Sequence, residues 1–277
     1  MLLELLKTIL LGIVEGVTEW LPISSTGHMI LLNELIRLNV SDAFWEMFEV
    51  VIQLGAILAV IVLYFHRLNP LAPSKTAQEK RDTWTLWFKV IVAVIPSAAI
   101  GLLLDDWFEA HFYNAWTVAL ALIAYGVIFL ALDRLESGRH ARRVADADQI
   151  SCRTAFLIGC FQVLAIIPGT SRSGSTIIGA MLLGLTRTTA AEFSFFMAIP
   201  TMLGASLLKC AKYMLHGASL SANEAMILAV GCTVAFAVSL LAIRALVRYV
   251  RTHSFRVFGM YRIVLGIIVL AWFALRG

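Results

Sequence analysis

Apolar residues run along this chain in long, nearly unbroken stretches, without the alternation of a half-buried strand or the narrow stripe of a soluble helix. Six stretches, at about 47–65, 90–104, 115–132, 193–208, 225–243 and 257–275, predict helices that cross a hydrocarbon core about 30 Å thick. Two more, at about 3–36 and 154–187, are equally apolar but interrupted near the middle by Pro, Gly and Ser. The interruptions read LPISSTGH (Leu21 to His28) and IPGTSRSG (Ile167 to Gly174). Backbone left unpaired at such a break survives in a membrane only inside protein or against a wet cavity. Both stretches therefore predict helix–break–helix hairpins that enter and leave on one side. The fold class expected is an all-α polytopic membrane protein: six transmembrane helices plus two broken re-entrant helical hairpins.

Composition agrees. Over 277 residues, 60% are hydrophobic and 14% charged, and the mean hydropathy is +0.85, too little charge to cover a soluble surface. A net charge of +4 and a pI near 9.0 raise the question of nucleic acid, but the bases sit in membrane loops. Arg67, Lys75, Lys80, Arg81 and Lys89 crowd one, Arg134, Arg139, Arg142, Arg143 and Arg153 a second, and Arg244, Arg248, Arg251 and Arg256 a third. The stretch 105–114 has acids and no base, and 209–224 has only Lys209 and Lys212. The positive-inside rule makes the rich loops cytoplasmic and places both termini on the periplasmic side of an inner membrane. Cys152, Cys160, Cys210 and Cys232 form no C-x-x-C pair and carry no metal or disulfide expectation. Glu4, Glu15 and Glu19 in the first apolar stretch argue against a cleaved signal peptide.

The two hairpins then enter from opposite sides. With Pro22 set on Pro168, Gly12-x-x-Glu15 falls within one residue of Gly159-x-x-Gln162, and Leu54-Gly55-Ala56 matches Leu203-Gly204-Ala205 at nearly the same offset. This predicts a single membrane domain, 1–277, made of an inverted repeat: 1–132, a cytoplasmic loop 133–153, and 154–277. In such repeats the binding site forms where the broken helices meet.

Ionisable groups at membrane depth are functional candidates. Glu15 and Glu19, four apart, share one helix face, and two carboxylates that close repel unless a cation or proton lies between them. A solvated face near the membrane surface is the bland alternative. An all-oxygen pair suits a divalent cation, Mg²⁺ or Ca²⁺. Ser24, Ser25, Thr26 and Gly27 suit a turn into a second half-helix whose free amides favour phosphate, and His28 adds an imidazole. In the second break, Arg172 stands among Ser171, Ser173 and Gly174. Its planar fork matches phosphate oxygens, although it could equally pair with Glu15 or Glu19. Acids, hydroxyls, imidazole and arginine together describe metal-assisted phosphoryl transfer, and the phosphorylated molecules found at that depth are lipids.

The strings EGVTEWLPISSTGH (Glu15–His28) and PGTSRSGSTI (Pro168–Ile177) resemble the undecaprenyl-diphosphate phosphatase family, also called the bacitracin-resistance family. FEVVIQLGAILAV (Phe48–Val60), EFSFFMAIPTMLGAS (Glu192–Ser206) and the Tyr261-Arg262 pair are similar to it as well, so the resemblance spans nearly the whole chain. Trp20 stands where the family pattern has Phe, a change expected to leave the chemistry alone, and about 66–88 no motif is found. The resemblance implies removal of the terminal phosphate from a C55 polyprenyl diphosphate, returning the monophosphate carrier for cell-wall synthesis. It also implies a divalent cation and a site opening to the periplasm. Carried over by motif, Glu15 and Glu19 handle metal or protons, Ser25 and His28 form the hydroxyl–imidazole stretch, and Arg172 binds diphosphate. The attacking group is left open among Ser25, His28 and a water activated by Glu19, with a slight preference for Ser25 using His28 as base.

A transporter or flippase for prenyl phosphates or another anion is the competing expectation, because inverted repeats with broken helices are also transporter architecture. A purely structural scaffold has no need of ionisable groups at two breaks. The partners expected are the lipid substrate and the bilayer, not nucleic acid. A homodimer is compatible with everything above.

Overall fold

A computed structural model describes residues 2–137 and 144–276. The expected basic positions Arg139, Arg142 and Arg143 lie outside the described residues, as do the side chains of Asp105, Asp106 and Glu109. The described chain is helical: α1 (Leu2–Thr18), α2 (Ser25–Ile36), α3 (Asp42–Val51), α4 (Gln53–Leu63), α5 (Phe65–Leu68), α6 (Ala77–Phe112) and α7 (Ala115–Ser137) come first. Then come α8 (Cys152–Val163), α9 (Arg172–Leu182), α10 (Arg187–Leu215), α11 (Ala222–Thr252) and α12 (Arg256–Arg276). Among the described residues, six helical segments are long and apolar enough to cross a membrane; they contain five of the six runs predicted from hydropathy and all but the last two residues of the first.

Two differences from the sequence reading have simple causes. The first crossing, Asp42–Leu63, is α3 and α4 in series, interrupted at Ile52, where Gly55 N–H bonds the Ile52 carbonyl at 3.0 Å in a tightened turn. The other crossings outrun their apolar cores because a helix does not stop where polarity rises. α6 begins at Ala77, after a reciprocal cap in which Glu79 N–H bonds Thr76 Oγ1 (3.2 Å) and Thr76 N–H bonds Glu79 Oε2 (2.7 Å). It ends at Phe112, so half of the supposed loop 66–88 and most of 105–114 are helix.

The four half-helices α1, α2, α8 and α9 have 17, 12, 12 and 11 residues. At 1.5 Å per residue each spans roughly 16–25 Å, short of a hydrocarbon core. α1 packs along α11, α8 along α6, and α7 along α12, while α10 lies against α3, α4, α6 and α9. α10 is the central post: Phe193, Phe195 and Phe196 on it are completely buried.

Backbones approach closely where the broken stretches meet their neighbours. A methyl group added at Gly159 on α8 would stand 1.9 Å from the Ala93 carbonyl oxygen of α6. Gly101, in contrast, has open space where its side chain would be. Gly159→Ala is expected to push α8 off α6 at a cost of about 1–3 kcal/mol, whereas Gly101→Ala is neutral or slightly stabilising. Thermal unfolding of the two purified variants checks this. Equal midpoints for the pair would contradict the packing described.

Candidate active site

Both breaks are built alike. Ser24 and Ser171, immediately before α2 and α9, each have φ of 74°, a left-handed conformation that is costly for a residue with a side chain. Each serine uses its hydroxyl as an N-cap: Gly27 N–H donates to Ser24 Oγ (3.3 Å) and Gly174 N–H to Ser171 Oγ (3.0 Å). The conformation turns the chain sharply enough for both helix N-termini, with their unpaired amides and positive dipole ends, to face one cavity.

That cavity measures about 420 Å³. Ser24, Ser25, Thr26, Glu19, Ser171 and Arg172 line its polar end, with Glu49, Gln53 and Gln162. Its remaining wall is largely apolar, from α6 (Val94, Ala98, Leu102, Phe108), the second break (Ala165 to Gly169) and α10 (Met202, Ala205, Leu208). Tyr113 and Lys209 mark one end of it. Tyr113 follows the end of α6, and Lys209 lies in the last two turns of α10.

The two breaks meet at one carboxylate. Arg172 donates from Nη2 to Glu19 Oε1 (2.8 Å) across 153 residues of sequence, and Ser25 donates from Oγ to Glu19 Oε2. Arg172 Nη1 donates to the Ser194 carbonyl (2.8 Å), and its guanidinium lies 5.8 Å from the Trp20 ring. Trp20 is completely buried and meets Phe195 edge-on, so it forms a wall of the site. Ser173 Oγ donates to the Glu19 carbonyl (3.1 Å), tying the breaks a second time.

Four polar groups in this cluster lack a hydrogen-bond partner, Trp20 Nε1 and Gln162 Oε1 among them. Both carboxylate oxygens of Glu15, which is completely buried, are unbonded, and so is Nε of Arg172. The charges nearest Glu15 are those of Glu19, Glu49 and Arg172. A buried acceptor pair beside two further carboxylates fits a hard divalent cation, and a free buried guanidinium N–H fits a phosphate oxygen. Among the described residues no group of three or more His, Cys, Asp or Glu side chains forms a closed cage.

The remaining predicted residues fall in four places. Ser24, Thr26 and Ser171 line the cavity, while Gly27 and Gly174 lie behind it as cap donors. Ser173 faces the Glu19 backbone. His28 is turned elsewhere: Nδ1 pairs with the Ser24 carbonyl (2.7 Å) and Nε2 with the Tyr261 hydroxyl (2.7 Å). The group in contact with the Ser25 hydroxyl is Glu19, not His28.

Sequence reasoning gave no role to two residues, although both stand in strings that carry the family resemblance. Glu49 lines the cavity and accepts a hydrogen bond from the Tyr113 hydroxyl; its signal was an acid inside the apolar run 47–65. Arg262, completely buried on α12, donates from Nη1 to the Pro22 carbonyl (3.0 Å) and from Nη2 to the carbonyls of Gly169 (2.7 Å) and Thr170 (3.1 Å). One guanidinium thus holds both breaks, and its signal was a lone charge in the last apolar run.

A bundle of six helices long and apolar enough to cross a membrane, with two polar helix breaks meeting at one cavity, defines a polytopic membrane protein. The chain belongs to the bacitracin resistance protein BacA family, which it matches over residues 8–268. An undecaprenyl-diphosphatase of Limosilactobacillus fermentum (strain NBRC 3956 / LMG 18251) is 56% identical over 274 residues, covering 99% of each chain. One from Streptococcus pyogenes serotype M12 (strain MGAS2096) is 56% identical over 272 residues, 98% of this chain and 97% of the relative. One from serotype M1 of the same species is 55% identical over the same share of both.

Proposed function

We propose that this chain hydrolyses undecaprenyl diphosphate to undecaprenyl phosphate and inorganic phosphate, recycling the lipid carrier of peptidoglycan synthesis and so conferring resistance to bacitracin. The observation that carries this reading is the Glu19 carboxylate, which gathers the Ser25 hydroxyl from one break and the Arg172 guanidinium from the other at membrane depth. A transporter needs an anion site but not a hydroxyl held against a carboxylate, so the competing reading is not favoured.

In this mechanism Arg172 and the amides at the start of α2 and α9 hold the diphosphate and stabilise charge on the transferring phosphoryl group. Ser25 Oγ attacks the terminal phosphorus while Glu19 takes its proton. The bond from that phosphorus to the bridging oxygen breaks, and the polyprenyl monophosphate leaves with the electron pair. Glu19 gives that proton up to the departing phosphate and, ionised again, takes a proton from the water that attacks the phosphoserine; inorganic phosphate leaves as Glu19 returns this proton to Ser25 Oγ, restoring the hydroxyl. Glu15, with Glu19, would hold a divalent cation, Mg²⁺ or Ca²⁺, whose chemistry is to neutralise phosphate charge. The apolar wall of the cavity takes the first isoprene units of the lipid.

The orientation follows from the bases. With the base-rich ends cytoplasmic, the cavity end at Tyr113 and Lys209 faces the periplasm, as do both termini. The half-helices form two re-entrant hairpins in an inverted repeat, 1–132 and 154–277. Supporting this is the pairing of α1 with α11 and of α8 with α6, contacts that an inverted repeat would exchange, with α7 and α12 as each other's counterparts. The matched serine caps at Ser24 and Ser171 support it too.

Phosphate release from a long polyprenyl diphosphate by the purified, detergent-solubilised protein is the test. Release should need Mg²⁺ or Ca²⁺, cease with EDTA, and fall at least about a hundredfold in Ser25→Ala and in Glu19→Gln. No release from well-folded protein would reject the function. Release undiminished in Ser25→Ala but lost in Glu19→Gln would replace the serine by a water that Glu19 activates.

A further inference from the structure

A second concavity lies at the opposite end of the bundle, between the end of α4 and the last turns of α11. It is a shallow groove of about 320 Å³, lined by Leu63, Tyr64, Ile243 and Val247 on its apolar side and by Arg244, Arg248 and Arg251 on the other. The three arginines follow one another at intervals of four and three, so they form one row on one face of α11. Among the described residues, Arg244 and Arg248 have no hydrogen-bonded or ion-paired partner, and Arg251 is offset only by the field of Glu192. α11 carries no acid beyond Glu224 in its first turn.

Depth gives this row its meaning. The apolar run of α11 ends at Ile243, so Arg244 stands at the edge of the hydrocarbon. Arg248 and Arg251 follow at about 6 and 10 Å along the axis, through the level of lipid phosphates. The positive-inside rule explains bases at this end of the bundle. It does not explain why three of them line a concavity whose other wall is apolar.

We propose that the groove between α4 and α11 binds an anionic phospholipid, with its phosphate on Arg244 and Arg248 and the start of its acyl chains against Leu63, Ile243 and Val247. Two guanidiniums match the phosphate oxygens by charge and by planar donor geometry. The apolar wall is continuous with the hydrocarbon that the chains already occupy, which favours a lipid over free phosphate. The site is separate from the catalytic cavity and does not depend on the reaction assigned to it.

The test uses the full chain in neutral detergent, titrated with phosphatidylglycerol, phosphatidylcholine or inorganic phosphate, and reads the unfolding midpoint and lipid adducts by native mass spectrometry. Phosphatidylglycerol should raise the midpoint and remain bound, and Arg244→Gln/Arg248→Gln should weaken its binding about tenfold or more while leaving phosphate release in detergent unchanged. Arg256→Gln, an exposed base outside the groove, should bind as the parent does. The proposal is overturned if phosphatidylcholine serves equally well, if the double variant keeps its adducts, or if Arg256→Gln loses as much. It is likewise overturned if inorganic phosphate alone reproduces the stabilisation.

Discussion

Arg172→Ala is expected to lower phosphate release by at least about a thousandfold. Removal of an arginine that neutralises charge in phosphoryl transfer typically costs three to five powers of ten. Here the loss has a second component, because Arg172 also holds Glu19 at 2.8 Å. Without it the carboxylate loses its charged partner in a buried site, and its orientation toward Ser25 goes with it. Arg172→Lys keeps the charge but can reach Glu19 or Ser194, not both with one fork, so it should recover only part of the rate. Initial rates for both variants, with unfolding midpoints to establish that they fold, check the claim. A rate within tenfold of the parent in Arg172→Ala would remove this residue from the site.

The second large effect is expected far from the phosphate. Arg262→Ala should reduce turnover about a hundredfold or more although Arg262 touches no reacting atom. Its guanidinium satisfies carbonyls of Pro22, Gly169 and Thr170, and each carbonyl left buried and unpaired costs about 1–3 kcal/mol. The breaks then relax away from each other, and with them the helix N-termini that carry Ser25 and Arg172. Such a positioning role has a signature that loss of fold lacks. Guanidinium ion added to the alanine variant should restore turnover by refilling the same carbonyls, while Arg262→Lys, with a point-like ammonium, should restore less. Undiminished turnover in Arg262→Ala, or loss of turnover with no response to guanidinium in protein that melts normally, would overturn it.

The contrast between these two arginines shows what sequence could convey. Hydropathy located the six crossings because lipid demands apolar runs whatever the tertiary contacts, and Pro22, Pro168 and the serine clusters marked the breaks. It could not show the interruption at Ile52, since an apolar β-branched residue inside an apolar run leaves no trace. Nor could it show that α6 continues from Ala77 to Phe112, because helix ends are set by caps such as Thr76–Glu79 and not by hydropathy alone. In the site, Glu19 and Arg172 were readable as candidates from their cost at membrane depth. Their pairing is a contact across most of the chain, and the choice of Glu19 over His28 as the partner of Ser25 depends on Tyr261 drawing the imidazole away.

The packing of α12 on α7 has a consequence for how the molecule is made. The two helices lie backbone to backbone: a methyl group added at Gly126 would stand 2.7 Å from the Gly259 carbonyl oxygen. Every residue assigned to phosphate chemistry is synthesised by residue 172, but Arg262 is not yet on the ribosome when they enter the bilayer. The nascent chain therefore carries its full set of reactive groups through about a third of translation in an unassembled arrangement. Full activity is expected only once the last helix inserts and slots against α7, so a chain that stalls or is clipped before that helix should turn over far more slowly while holding all of its reactive residues.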